Sequence, residues 1–431
     1  MELGRYLTSF LRIYINTNLE LDNFRNGNLT DYEKRIFIHE YTHFLQNITG
    51  GFGHLHAWNV YDRIRQHIVD LRNKNVTAIE IPIIGSVADE QKLFHKIRKR
   101  IQGSYKVVAG MEDSSTIIKG IKIVKDEDFE MLYPDRPTVN YLVLNLSDKN
   151  NNEMEYIFGE AAISEAMAFL MEAKYFETDP ADNFPYHVCR LLGRYMGIEL
   201  IEKDEYLFSI CDVALLTSFP GLLFFKILED IREKTFEPSK SEELFDYGID
   251  FLYSIGWQVM EDYQKHMEGT CHVIESLLNN RVFKETSEWV VYLFRNGFEC
   301  RKRNMHLLIQ LFKEPKPFEG FWNNIIAQFG NPEIHNNTPK RAFIAPVDLK
   351  EIEDKIQPIL MLALNEVYQT LFFRKTECAL LEFCQHSKNG LKTDERCTTA
   401  PWERSTDEFT CAYGALWANF SLAGLPVTIN N

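Results

Sequence analysis

Arg35-Ile36-Phe37-Ile38-His39-Glu40-Tyr41-Thr42-His43-Phe44-Leu45-Gln46 decides how the rest of the chain is read. Two His stand four residues apart, with a Glu directly after the first. On an α-helix this spacing sets the imidazoles roughly 40° apart around the axis and one turn apart along it, so both can reach one ion. Glu40 lies about 100° further round, close enough to act as a base without being a ligand. Just upstream, Thr30-Asp31-Tyr32-Glu33 matches a capping box, the Thr hydroxyl capping the first turn while Glu33 reaches back. The spacing predicts a helix from there to about Asn47, stopping at Gly50-Gly51, where left-handed backbone is cheap.

Working outward, Tyr6 to Leu21 reads as one or two strands and Asn23 to Asn28 as a turn cluster. A second helix is expected over His54 to Asn73. Residues 77–146 mix strand-like runs (AIEIPIIG, YKVVAG, GIKIV, VNYLVLNL) with the helical DEQKLFHKIRKRI. Ser147 to Met154 is a polar turn. The helical period returns from Glu155 to Tyr175 and persists to about Arg374, with breaks near 235–242, 314–319 and 329–341.

The fold class expected is α+β, predominantly helical. Three units are expected: a core over 1–200 with an insertion at about 74–150, a helical domain over 201–375, and a Cys-rich segment over 376–431.

The 431 residues carry a formal net charge of −15, which repels phosphate backbones and argues against nucleic acid as a partner. The apolar run Tyr206 to Leu228 is interrupted by Asp212, Pro220 and Lys226. It therefore reads as a buried helix pair, not a membrane span. The amino end lacks the pattern of a signal peptide, so a cytoplasmic protein is expected, with its eight Cys as free thiols or metal ligands.

A hydrolytic zinc needs a third protein ligand and an open position. No His follows His43 at a useful spacing. The candidate lies in Ile163-Ser164-Glu165-Ala166-Met167-Ala168-Phe169-Leu170-Met171-Glu172, where a carboxylate sits in an apolar, small-residue helix and a cation is the obvious partner. Glu160 is a rival, but it lies about 140° round the helix from Glu165, so both cannot face the ion equally. Glu172, two turns past Glu165 on the same face, reads first as a solvated residue at the helix end, with support of the metal ligands as the alternative.

These two helices together resemble the gluzincins, zinc peptidases of the thermolysin and aminopeptidase-N kind, whose ligand helix in the latter branch takes the form L-N-E-G-F-A-x-Y-x-E. The resemblance implies a zincin-like core with Zn2+ held by His39, His43 and Glu165, and peptide-bond hydrolysis with Glu40 as general base. It covers two short helices. The family's gap between second His and third ligand is usually short, whereas residues 44–164 intervene here. Phe169 stands where thermolysin-like enzymes place an Asp. The substrate-amine motif of the aminopeptidases is not evident, so an endopeptidase is expected.

Tyr186 and His187, soon after the ligand helix, are candidate donors to the oxyanion. A peptide or protein substrate and a regulatory protein partner are the expected partners, with no membrane. Two alternatives stay open: a zinc hydrolase of a small amide, and a non-catalytic binding protein with a relic site.

Cys378, Cys384, Cys397 and Cys411 are candidate ligands for a structural metal, although they lack the sharp C-x2-C spacing. Cys189, Cys211, Cys271 and Cys300 read as core filler. His54, His56 and His67 are expected to face solvent or to orient the metal ligands.

Overall fold

The computed structural model describes residues 3–18, 29–74, 76–83, 86–106, 116–135, 138–177, 184–315, 322–338, 341–386, 393–408 and 410–430. The expected turn cluster at Asn23 to Asn28 and most of the YKVVAG strand lie outside them.

The capping box forms. Glu33 N donates to Thr30 Oγ1 at 3.3 Å, and Thr30 N donates to Glu33 Oε2 at 3.0 Å. Two strands precede it, β1 (Gly4–Leu7) and β2 (Arg12–Ile15). Helix α1 runs Asp31–Thr49 and buries Phe37, Tyr41, Phe44 and Ile48 completely. Its end corrects the sequence reading: Gly50 is extended at φ −112°, not left-handed. The glycines serve close approach instead. A Cβ on Gly51 would lie 2.2 Å from the Leu216 carbonyl oxygen, so α2 (Gly51–Asn73) departs at once against a neighbouring backbone.

Beyond it lie β3 (Ile79–Ile81), a helix at Ser86–Gln102, β4 (Ile117–Lys125), β5 (Asn140–Ser147) and β6 (Glu153–Phe158). β4, β5 and β6 form an antiparallel sheet. The helical period expected from Glu155 is corrected here. Glu155 faces solvent while Tyr156 and Phe158 are buried, and pairing with β5 holds the segment extended. Helix α3 starts only at Glu160 and ends at Tyr175.

The apolar run is a helix pair, Asp204–Leu215 and Pro220–Lys234, with Pro220 in the first turn, where its missing N–H costs nothing. Asp212 pairs with the sealed Arg301 at 2.6 Å. No described helix is long and apolar enough to cross a membrane. Helices α4 (Val259–Leu277) and α5 (Lys284–Arg303) then pack on α2 and α1 respectively.

The break expected at 329–341 holds two short strands, β7 (Asn331–His335) and β8 (Arg341–Ile344). They complete a four-stranded sheet of order β1-β2-β7-β8, with β2 and β7 parallel. This sheet lies on α1. A Cβ on Gly4 would sit 2.6 Å from Ile36 and 2.7 Å from the Glu40 carboxylate, so only glycine lets β1 approach so closely. Helix α6 (Ile359–Phe373) and a set of short helices close the chain, and β9 (Val427–Ile429) pairs with β3. The chain is thus mixed α+β and mostly helical.

Candidate metal centre

Contacts between α1 and α3 run in opposite order along the two helices. Arg35 meets Glu172, His39 meets both Glu172 and Glu165, His43 meets Glu165, and Gln46 meets Ser164. The helices are therefore antiparallel. The small side chains Ala161, Ala162 and Ala168, all buried, let α3 pack closely into its surroundings.

At the crossing, His39 Nε2 lies 3.2 Å from Glu165 Oε2, and His43 Nε2 lies 3.6 Å from Glu165 Oε1. Two ligand atoms bound tetrahedrally to zinc at about 2.0–2.1 Å stand roughly 3.4 Å apart. The observed spacings match. Among the described residues, His39, His43 and Glu165 form the group of three whose ligand atoms all lie within 4.8 Å of one another.

The far nitrogens are held as well. His39 Nδ1 is 3.0 Å from Glu172 Oε2, and Arg35 Nε is 3.1 Å from the other Glu172 oxygen. His43 Nδ1 is 2.9 Å from Gln46 Oε1, while Gln46 Nε2 donates to the Ser164 carbonyl at 3.0 Å. Glu172 and Gln46 accept from the two Nδ1 atoms, so each imidazole is anchored through Nδ1 with Nε2 directed at Glu165. That orientation is the one a metal held through Nε2 requires. The donor set fits a divalent ion.

Electrostatics agree. Burial alone would raise Glu165, but His43 and His39 outweigh it and hold the carboxylate well below its usual range. Burial alone would lower His39, but its bonds to Glu165 and Glu172 raise it well above an ordinary imidazole. The pocket is thus built to concentrate negative charge against two nitrogen donors. The three side chains keep 11–18% exposure.

Glu40 is 6% exposed, and burial raises its proton affinity. The backbone N–H of Tyr6, on edge strand β1, donates to its carboxylate. Tyr186 is half-buried, its ring centroid 6.0 Å from that of His39. His187 packs edge-on against Phe169 at 5.0 Å, and burial lowers its pKa. Glu160 lies beyond His43 and accepts a hydrogen bond from Ser164, with burial lifting its pKa to about 7. It shares a cavity of about 40 Å³ with His43, Gln46, His56 and Tyr105.

Two expectations are corrected. Glu172 is not a solvated end residue but the carboxylate that orients His39. Its spacing of seven from Glu165 was the available signal. Arg35 and Gln46, four before His39 and three after His43, went unremarked though they share the ligands' face. His54, His56 and His67 neither face solvent nor bond to the ligands: they are buried, at 0%, 7% and 6% exposure. His54 Nε2 bonds the Ile48 carbonyl at 2.7 Å, His56 Nδ1 bonds Ser9 Oγ at 2.9 Å, and the His67 ring packs on Phe372. Cys189, Cys211, Cys271 and Cys300 are buried free thiols.

No protein-family model, curated protein or solved structure matches this chain.

Proposed function

We propose that the chain is a zinc-dependent peptidase, an endopeptidase, in which His39 and His43 through Nε2 and Glu165 through its carboxylate hold the ion. The observation that carries this reading is their convergence at 3.2 and 3.6 Å with both Nδ1 atoms already tied back. When bound, zinc polarises a substrate carbonyl and acidifies water. Glu40 accepts the proton of the attacking water and returns it to the leaving amine nitrogen; its burial raises its proton affinity toward the range where both transfers work. Tyr186 donates to the oxyanion.

The peptide character of the substrate is supported by β1. It is a sheet edge bordering Glu40, an element of the kind that aligns an extended peptide. On this reading the helix pair beneath an edge strand serves as the zincin-like core, with residues 44–164 as the intervening excursion. A cytoplasmic location and a regulatory protein partner belong to the same proposal. The small volume of the cavity beside His43, about 40 Å³, favours a second reading, in which the substrate is a small amide.

The test is Glu40→Gln. The expected variant keeps about one zinc at the centre and loses roughly 10²–10⁴-fold in hydrolysis of an unfolded protein substrate. Hydrolysis of small amides alone by the wild type moves the reading to the second. Zinc retained with no hydrolysis by either form overturns both.

A further inference from the structure

Outside the His–Glu centre, the chain gathers sulfur in one place. Cys378, Cys384, Cys397 and Cys411 come from separate turns and short helices of the last fifty-odd residues, yet all four line a single cavity of about 10 Å³. That is the space of one small occupant, close to the minimum for a water molecule. None of the four is disulfide-bonded.

Hydrogen-bond donors face three of the four sulfurs. Arg404, 4% exposed, aims Nη1 at Cys397 Sγ across 3.3 Å. Gly414 N donates to Cys411 Sγ at 3.4 Å, and the Leu380 amide donates to the Cys378 sulfur. Cys378 N bonds the Cys397 carbonyl at 2.9 Å, which locks two of the contributing segments together.

We propose that Cys378, Cys384, Cys397 and Cys411 bind a structural zinc ion, separate from the His39–His43–Glu165 centre. Each thiol loses its proton to solvent as its Zn–S bond forms, with no change of oxidation state. The resulting dianionic centre faces the amide donors and Arg404, whose guanidinium also pairs with Asp407 at 2.8 Å. Tetrahedral Zn–S bonds of about 2.3 Å set sulfurs roughly 3.8 Å apart. Among the described residues only the His39 group already packs its ligand atoms within 4.8 Å, so the sulfurs draw inward on binding. The contributing helices are short: Leu381–Gln385, Arg396–Thr399 and Ala412–Asn419.

The experiment uses the full chain carrying His39→Ala and His43→Ala, so that the two sites are scored independently. Elemental analysis is expected to find about one zinc per chain remaining. Cobalt substitution is expected to give sulfur-to-cobalt charge-transfer absorption, and adding Cys378→Ser and Cys397→Ser should abolish both signals. If the four-fold variant fails to fold, the cobalt spectrum of the His variant decides alone. A His variant that is metal-free and stays colourless with cobalt overturns the proposal. So does recovery of these cysteines as disulfides from freshly purified protein.

Discussion

The His39–His43–Glu165 group and the four-cysteine cavity are two answers to one problem, and they differ in what holds the ligands apart. The first stands on α1 and α3, helices of 19 and 16 residues packed antiparallel and anchored at both far nitrogens. Its ligand atoms are at bonding separation before any ion arrives. The second stands on helices of 5, 4 and 8 residues and the turns between them, and its sulfurs wait further apart. A rigid frame suits a site that must keep one position open for substrate, since its geometry cannot depend on filling every position. A loose frame suits an ion that closes four bonds and takes its stability from doing so.

This contrast can be broken. The largest effect is expected from Glu165→Ala. It should empty the helical site and abolish hydrolysis while leaving helix content and the cysteine-held metal unchanged, as checked by metal analysis and circular dichroism. Full occupancy of the helical site in that variant would remove Glu165 from the ligand set.

Acid should separate the core from both sites next. Burial lowers His54 and His56 to about 3 and His67 and His266 to about 4. The unfolded chain takes protons on these side chains below its ordinary imidazole pKa near 6.5, whereas the folded chain does not. Stability is therefore present above about pH 6.5 and falls as pH drops toward 4, by roughly 1.4 kcal/mol per pH unit for each such His. Denaturant midpoints measured from pH 7 to pH 4 check this. His54→Gln should flatten the slope, and an unchanged slope would contradict the assignment.

Smaller effects test the anchoring of the helical site. Glu172→Ala frees His39 Nδ1 and is expected to weaken zinc affinity about 10–100-fold by competition titration. Gln46→Ala should act the same way through His43. Neither should alter cobalt–sulfur absorption from the cysteines. The smallest effect is that of Thr30→Ala, which removes the cap of α1 and should lower global stability by about 1 kcal/mol in denaturant titration. It should leave zinc affinity nearly unchanged, because the ligands lie turns away from the frayed end.

The legibility of the molecule follows the same division. The α1 start could be read because a capping box is local chemistry, written in Thr30 and Glu33. The pairing of His39 and His43 could be read because helical periodicity is regular. Glu165 was found from the cost of a buried carboxylate, a signal that needs no neighbour in sequence. What was not legible depends on partners far along the chain. β7 and β8 are strands of five and four residues that form because β7 pairs with β2, far along the chain, and β8 with β7. β6 looked helical because its exposed and buried residues also fit the period of the helix that follows, and β5 decides otherwise. The role of Glu172 is fixed by Arg35 and His39, more than 130 positions upstream in the case of His39. The burial of His54 and His56 is set by contacts with Ile48 and Ser9 and with α4 and α5, which no local pattern announces.

The central claim is that His39, His43 and Glu165 grip one divalent ion in a frame built before it binds. Zinc-edge X-ray absorption on the full chain carrying Cys378→Ser and Cys397→Ser tests it most directly, because the helical site then supplies the whole signal. The expected spectrum shows only nitrogen and oxygen neighbours at about 2.0–2.1 Å, with imidazole scattering from two rings. A zinc shell without imidazole, or a chain that takes up no zinc at all, would contradict it.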